Sequence, residues 1–296
     1  MNVPLLLLAM GFVWRYLPLR ASPQDGSLDK RGILLLIGWA IPFLLAFSFW
    51  GPERLGAPVW GGVLLAVALF FLFLWIRVEK DHPSPLFALS LIEIPTFRYA
   101  ALAGFFFGPI FLGGVTFFPL YLQSVLGYPP AESGLLLLAF TVGGVVSTGA
   151  AGAWVSRHGR YKPLLVGCAI GFALLLGIAA VALPVQMPLL LLLTLMVMGA
   201  GFLGPFQALI SVVGQNDVPI ARVGSATSAI QFMRQIGSTV GLAFLNILYV
   251  AGQTWGQGRL LYGVRWVFGG MAGLGILLVG VLLLLPDERL RSERSS

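Results

Sequence analysis

The chain has 296 residues, of which 58% are hydrophobic and only 10% charged, and its mean hydropathy is +0.93, whereas a soluble domain carries roughly 25% charged residues. Water is therefore excluded as the main solvent, and long apolar runs without two-residue alternation, such as residues 189–206, exclude a β-barrel. The net charge of +7 is spread over short loops without a basic arm or stripe, which argues against nucleic acid and makes the lipid bilayer the first partner of the fold.

Apolar runs between charged or proline-rich breaks predict helices at about 3–14, 32–50, 57–76, 98–122, 133–155, 163–183, 188–213, 225–250 and 265–285. A crossing takes about 20 apolar residues. Eight of the nine reach that length, while the first has barely a dozen apolar residues and lacks the charged start and cleavage site of a signal peptide. The polar stretches 15–31 and 77–97 flank a pair of plainly apolar helices, which reads as peripheral. The helices after residue 98 carry most of the glycines, so a domain boundary is expected near Pro95. The fold class expected is an all-α integral membrane protein.

Cytoplasmic loops retain Lys and Arg, and the alternate loops differ sharply in them. One side holds Arg15, Arg20, Lys30, Arg31, Arg77, Lys80, Arg98, Arg157, Arg160, Lys162, Arg222, Arg289, Arg291 and Arg294; the other holds Arg54, Arg259 and Arg265. The carboxy-terminus is expected in the cytoplasm of a multi-pass inner-membrane protein, and nine helices then put Met1 on the outer side.

The 38 glycines suit close helix approach in a bilayer. In the helix from 133, Gly144, Thr148 and Gly152 form one four-residue ladder and Gly143, Ser147 and Ala151 the next, predicting a tight crossing, with packing alone or a sliding surface as its use. Pro109, Pro119 and Pro205 fall within spans, so Gly108-Pro109 and Gly204-Pro205 mark bends, static or used in motion. The single cysteine, Cys168, lies in an apolar run and reads as a small buried hydrophobe.

Ionisable groups at bilayer depth are costly and functional by default. Arg234 lies nine residues into its predicted helix, roughly 14 Å deep at 1.5 Å per residue. Thr227, Gln231, Arg234 and Ser238 follow helical spacing and form one polar stripe. That stripe lines a translocation cavity, or it is structural, with Arg234 bonding carbonyls of a neighbouring helix. All eleven carboxylates fall in loops or at helix ends, and His82 and His158 are loop residues, so no intramembrane proton carrier stands out. No nucleophile triad, metal-ligand cluster or phosphate loop is present in the sequence, and neither an enzyme, a cofactor nor a metal is expected.

Residues 152–162, GAWVSRHGRYK, resemble the Gly-x-x-x-Asp-Arg-x-Gly-Arg-Arg/Lys signature of the major facilitator superfamily through Gly152, Arg157, Gly159, Arg160 and Lys162, with Ser156 in place of the acid. The same basic turn also satisfies the positive-inside rule without any mechanism. PLYLQSVLGYPPAESG (residues 119–134), RVGSATSAIQFMRQIGSTVG (residues 222–241) and Asn2-Val3-Pro4 resemble the fourteen-span drug:proton antiporters of the EmrB/QacA type. The resemblance implies residues 1–31 as the last helix of a first half with its loop, 32–97 as two extra central helices, 98–286 as a second six-helix half and 287–296 as a cytoplasmic tail. It implies an incomplete carrier that exports hydrophobic or cationic drugs by alternating access, with a missing amino-terminal half as partner. It also places Arg234 and Gln235 on an Arg-Gln pair of the family. Tyr121 and Gln123 fall near the outer mouth, on the substrate path or as interfacial anchors. A non-transporting membrane scaffold, or a carrier for another small solute, is the alternative.

Overall fold

The computed structural model describes residues 3–16, 30–49, 58–81, 89–184 and 186–287. These residues form nine α-helices: α1 (Val3–Tyr16), α2 (Lys30–Phe49), α3 (Pro58–Asp81), α4 (Pro95–Ser124), α5 (Pro130–His158), α6 (Lys162–Ala182), α7 (Leu189–Gln215), α8 (Val223–Trp255) and α9 (Leu260–Leu284). Short 3-10 turns lie at Leu89–Glu93 and Ile220–Arg222. Seven of the helices are long and apolar enough to cross a bilayer. The remaining expected span, α2, is a helix of 20 residues with Pro42 inside it.

Local chemistry sets the ends. Proline stands in the first turn of α4, α5 and α6, where its missing N–H costs nothing. Gly159 closes α5 in the left-handed region at φ 68°, its N–H donating to the Val155 carbonyl over 2.8 Å. Gln257 and Gly258 both take positive φ, reversing the chain between α8 and α9 within a few residues. In consequence α9 begins at Leu260, five residues before the predicted start, and Arg265 lies inside the helix rather than at its edge.

The six helices α4–α9 share a core in which Phe107 of α4 stacks on Phe206 of α7 at 5.3 Å between ring centroids. Large apolar side chains such as Leu174, Ile178 and Val181 on α6 and Ile276 on α9 point outward, as suits a lipid solvent that attracts them as well as the core does. The α2 and α3 helices pack on each other, and Trp39 of α2 meets Phe232 of α8 at 5.5 Å between ring centroids.

Two crossings bring backbones into contact. At the first, α4 crosses α8: a Cβ on Gly108 would strike the Arg234 carbonyl and Ser238, one on Gly237 would strike the Phe105 carbonyl, and one on Gly241 would strike the Pro109 ring. At the second, α5 crosses α7: a Cβ on Gly204 would strike Ser147 and the Gly144 carbonyl, and Gly143 has the Val197 carbonyl 3.3 Å from its Cβ position. Hydroxyls seal this second crossing, Ser147 donating to the Ala200 carbonyl at 3.2 Å and Thr148 to that of Gly204 at 3.0 Å. Both Gly-Pro pairs therefore sit where a second helix passes closest. The predicted tight crossing of the α5 ladder is present, but Gly152 takes no part in it, since its Cβ position is open. Cys168 is half-buried, a little more exposed than its apolar run suggests.

Candidate functional site

Chain reversal at each loop puts the starts of α4, α6 and α8 and the ends of α5, α7 and α9 at one end of the bundle, called here the Lys162 end; the other is the Arg265 end. Arg234 is eleven residues into α8, about 17 Å from the helix start at 1.5 Å per residue. Its Nη1 donates to Oε1 of Gln207 on α7 at 2.8 Å. The structural alternative foresaw backbone carbonyls as the partners of Arg234; the partner shown is a side-chain oxygen.

The other members of the stripe do different things. Ser238 is buried in the α4 crossing and donates to the Arg234 carbonyl one turn back, at 2.9 Å. Thr227 donates to the Val223 carbonyl at 2.8 Å and accepts from the Gln215 amide. Gln231 and Gln235 are exposed, as are Ser228 and Asn246, and with half-exposed Thr239 they form a polar row along one face of α8.

Tyr121 and Gln123 lie far from this row. A Cβ on Gly104 of α4 would come 3.8 Å from Cβ of Arg234, and Tyr121 is seventeen residues further along the same helix, about 25 Å away. Tyr121 is fully buried and donates its hydroxyl to the Pro184 carbonyl at 2.9 Å. The Gln123 amide donates to Ser133 Oγ at 2.8 Å, tying the end of α4 to the first turn of α5. Both side chains brace the Arg265 end.

At the Lys162 end, Arg157 and Arg160 are exposed. Lys162 reaches across to α9, its Nζ donating to the carbonyls of Leu283 at 2.8 Å and Leu285 at 2.6 Å, and the buried Tyr161 hydroxyl donates to that of Pro286 at 3.3 Å. These carbonyls are the orphan acceptors of a helix end, where a cation is favoured. Ser156, standing where the signature has an acid, donates to the Ala153 carbonyl at 3.0 Å.

The Major Facilitator Superfamily model matches residues 1–242. An uncharacterized MFS-type transporter of Mycobacterium tuberculosis is 32% identical over 257 residues, covering 84% of this chain and 36% of its own length. The chain belongs to the major facilitator superfamily. Other members similar to it are the multidrug transporter protein MdtP of Bacillus subtilis, 27% identical over 83% of this chain and 45% of its own length, and the tetracenomycin C resistance and export protein of Streptomyces glaucescens, 31% identical over 77% and 42%. The chain thus spans between about a third and a half of these relatives.

As a superfamily member the chain is a multi-pass membrane protein. The polar residue that sequence reasoning missed is Gln207. Its signal was an amide inside a span, three residues after Gly204-Pro205, but nothing in the sequence links it to Arg234, 27 positions away. Among the described residues no three His, Cys, Asp or Glu side chains gather as a metal site, and Glu93, Glu132, Asp217 and Asp287 all lie at helix ends or between helices.

Proposed function

We propose that the chain supplies the second half of a drug exporter that works by proton-coupled alternating access, with α1 as the last helix of a first half, α2 and α3 as extra central helices and α4–α9 as the second half. The observation that carries this reading is the polar face of α8. Gln231, Gln235 and Ser228 lie outward on a helix of membrane-spanning length, beside the mid-depth Arg234–Gln207 link. Polar groups at that depth face protein or water, not lipid. A row of them on an open face fits the wall of a translocation path shared with a further set of helices, the amino-terminal half. Thr227 and Ser238 support that wall, and Tyr121 and Gln123 hold its outer rim. The similarity to members named for multidrug transport and tetracenomycin export points to hydrophobic or cationic drugs as cargo. Protons would be carried by carboxylates of the partner half, since none stands in the central turns of the described helices.

The test is drug efflux from a pump-deficient bacterial strain expressing the chain with the five-helix amino-terminal segment of a related carrier, using tetracycline and ethidium with and without a protonophore. Protonophore-sensitive efflux of at least one drug is expected. Arg234→Gln is expected to lower it several-fold with insertion intact, and Arg234→Leu to lower it further, because Leu also removes the hydrogen bonds that Gln keeps. Undiminished efflux by both variants would make the α8 face packing and not pathway.

A further inference from the structure

The α5 helix leans on α7 along most of its length and scarcely meets α4. A cleft of about 390 Å³ opens between α4 and α5 with α7 as its floor, inside the range of roughly 300–1,000 Å³ that suits a drug-sized ligand. Its walls are aromatic and aliphatic, Phe111 from α4 and Leu137 and Phe140 from α5, and its polar groups are Thr141, Thr148 and Gln207. Phe111 and Thr141 lie near the middle of their helices, so the cleft is at mid-depth.

The hydrogen-bond directions in this cleft are fixed by chemistry. A guanidinium has donors and no acceptor, so the Gln207 oxygen must face Arg234 Nη1, 2.8 Å away, and the Gln207 NH2 group is left as the donor on the cleft. The hydroxyl protons of Thr141 and Thr148 are committed to the carbonyls of Leu137 and Gly204, each at 3.0 Å, so both oxygens offer lone pairs. No carboxylate lines the cleft, and the charge behind Gln207 is positive.

We infer that this cleft is a binding subsite for planar aromatic compounds that carry adjacent carbonyl and hydroxyl oxygens, neutral or anionic, and that it disfavours permanent cations. The carbonyl accepts from the Gln207 amide, whose polarity Arg234 reinforces from behind, and the hydroxyl donates to a threonine oxygen. The aromatic rings lie against Phe111 and Phe140. The assignment deepens the reading of the chain as a drug carrier and rests on it, while its test measures binding alone.

Purified full chain in phosphatidylcholine nanodiscs is dialysed to equilibrium against 1,8-dihydroxyanthraquinone, anthracene or ethidium, with empty nanodiscs subtracted. The expected result is saturable binding of the dihydroxyanthraquinone, at least tenfold tighter than anthracene, which has the same ring system and no oxygens, and than ethidium, a permanent cation. Two variants localise it. Gln207→Glu keeps an acceptor for Arg234 and removes the amide donor, and is expected to weaken dihydroxyanthraquinone binding about tenfold or more. A Cβ on Gly144, which lines the cleft, meets nothing within 4 Å, so the side chain of Gly144→Leu leaves the backbone without a clash toward the cleft and is expected to abolish binding. Equal binding of anthracene, tighter binding of ethidium, or loss in Gly144→Leu with none in Gln207→Glu would each overturn the assignment, the last by showing apolar occupancy alone. Binding as expected without export in cells would leave the subsite standing and remove the proposed function; export of drugs by a chain that fails this binding test would do the reverse.

Discussion

The glycines of α8 show how little room a backbone contact leaves. Gly237 and Gly241 let α4 approach until the Phe105 carbonyl and the Pro109 ring occupy the space of their missing side chains. Gly237→Ala must push a backbone carbonyl aside, and overpacking of this kind costs about 1–3 kcal/mol. Gly152→Ala and Gly273→Ala place the same methyl in open space and belong with surface changes of roughly half a kcal/mol or less. Thermal unfolding in detergent is therefore expected to show a clear fall in Tm for Gly237→Ala and none for the other two. A Gly237→Ala protein as stable as the parent would mean that α4 and α8 do not meet there. Arg234 belongs to the same contact, since its carbonyl crowds Gly108 while its side chain reaches α7. One residue thus ties three helices.

Pairs of helices are held by a second device, a reciprocal exchange of cations for carbonyls between α6 and α9. Lys162, at the start of α6, donates to Leu283 and Leu285 at the end of α9. Arg265, in the second turn of α9, donates through Nε and Nη2 to the Leu183 carbonyl just after α6, at 3.2 and 2.6 Å. The helices run antiparallel, so each cation meets the negative end of the other's dipole, an interaction of about 0.3–1 kcal/mol when exposed and up to about 2 when partly buried. Each substitution should consequently loosen the helix that does not contain it. Lys162→Met is expected to speed amide exchange at residues 281–287 and leave 180–184 unchanged, and Arg265→Met to do the opposite, as read by hydrogen exchange and mass spectrometry. Faster exchange confined to the mutated helix would contradict the clasp. The signature-like loop thus contains a residue, Lys162, whose contacts are structural, beside Arg157 and Arg160, which remain exposed.

Across the whole molecule the three-helix groups α4–α6 and α7–α9 interlock. The first helix of each group crosses the second of the other, α4 on α8 and α7 on α5, and the third helices pair with one another. Each first helix carries its Gly-Pro pair at that crossing, and the cation clasp repeats at both ends of the third pair. This is the nested inverted repeat known for the superfamily, and in the sequence only the two Gly-Pro pairs stand out as its trace. Sidedness follows from charge. Single cysteines at Ser156 and Gln186 in a Cys168→Ser background are expected to differ in labelling by an impermeant maleimide in intact cells, with Gln186 labelled and Ser156 protected, because basic loops stay in the cytoplasm. Labelling of Ser156 alone would reverse the topology.

What the sequence determined by itself is what hydropathy and local backbone chemistry determine: a helical membrane protein, spans from residue 98 onward correct to within about five residues, a tight face on α5 and a polar stripe on α8. These properties belong to single segments, and 1.5 Å of rise per residue converts them directly into faces and depths. Tertiary structure alone decided the partners. A small-residue ladder states that some backbone comes close, but lipid is as apolar as leucine, so no difference in burial says which helix it is. The same limit hid Gln207 as the partner of Arg234 and the Pro184 carbonyl as that of Tyr121. Hydrogen bonds between helices depend on how the helices are rotated against one another. That rotation is fixed by the packing of all six together and is encoded in no single stretch of chain.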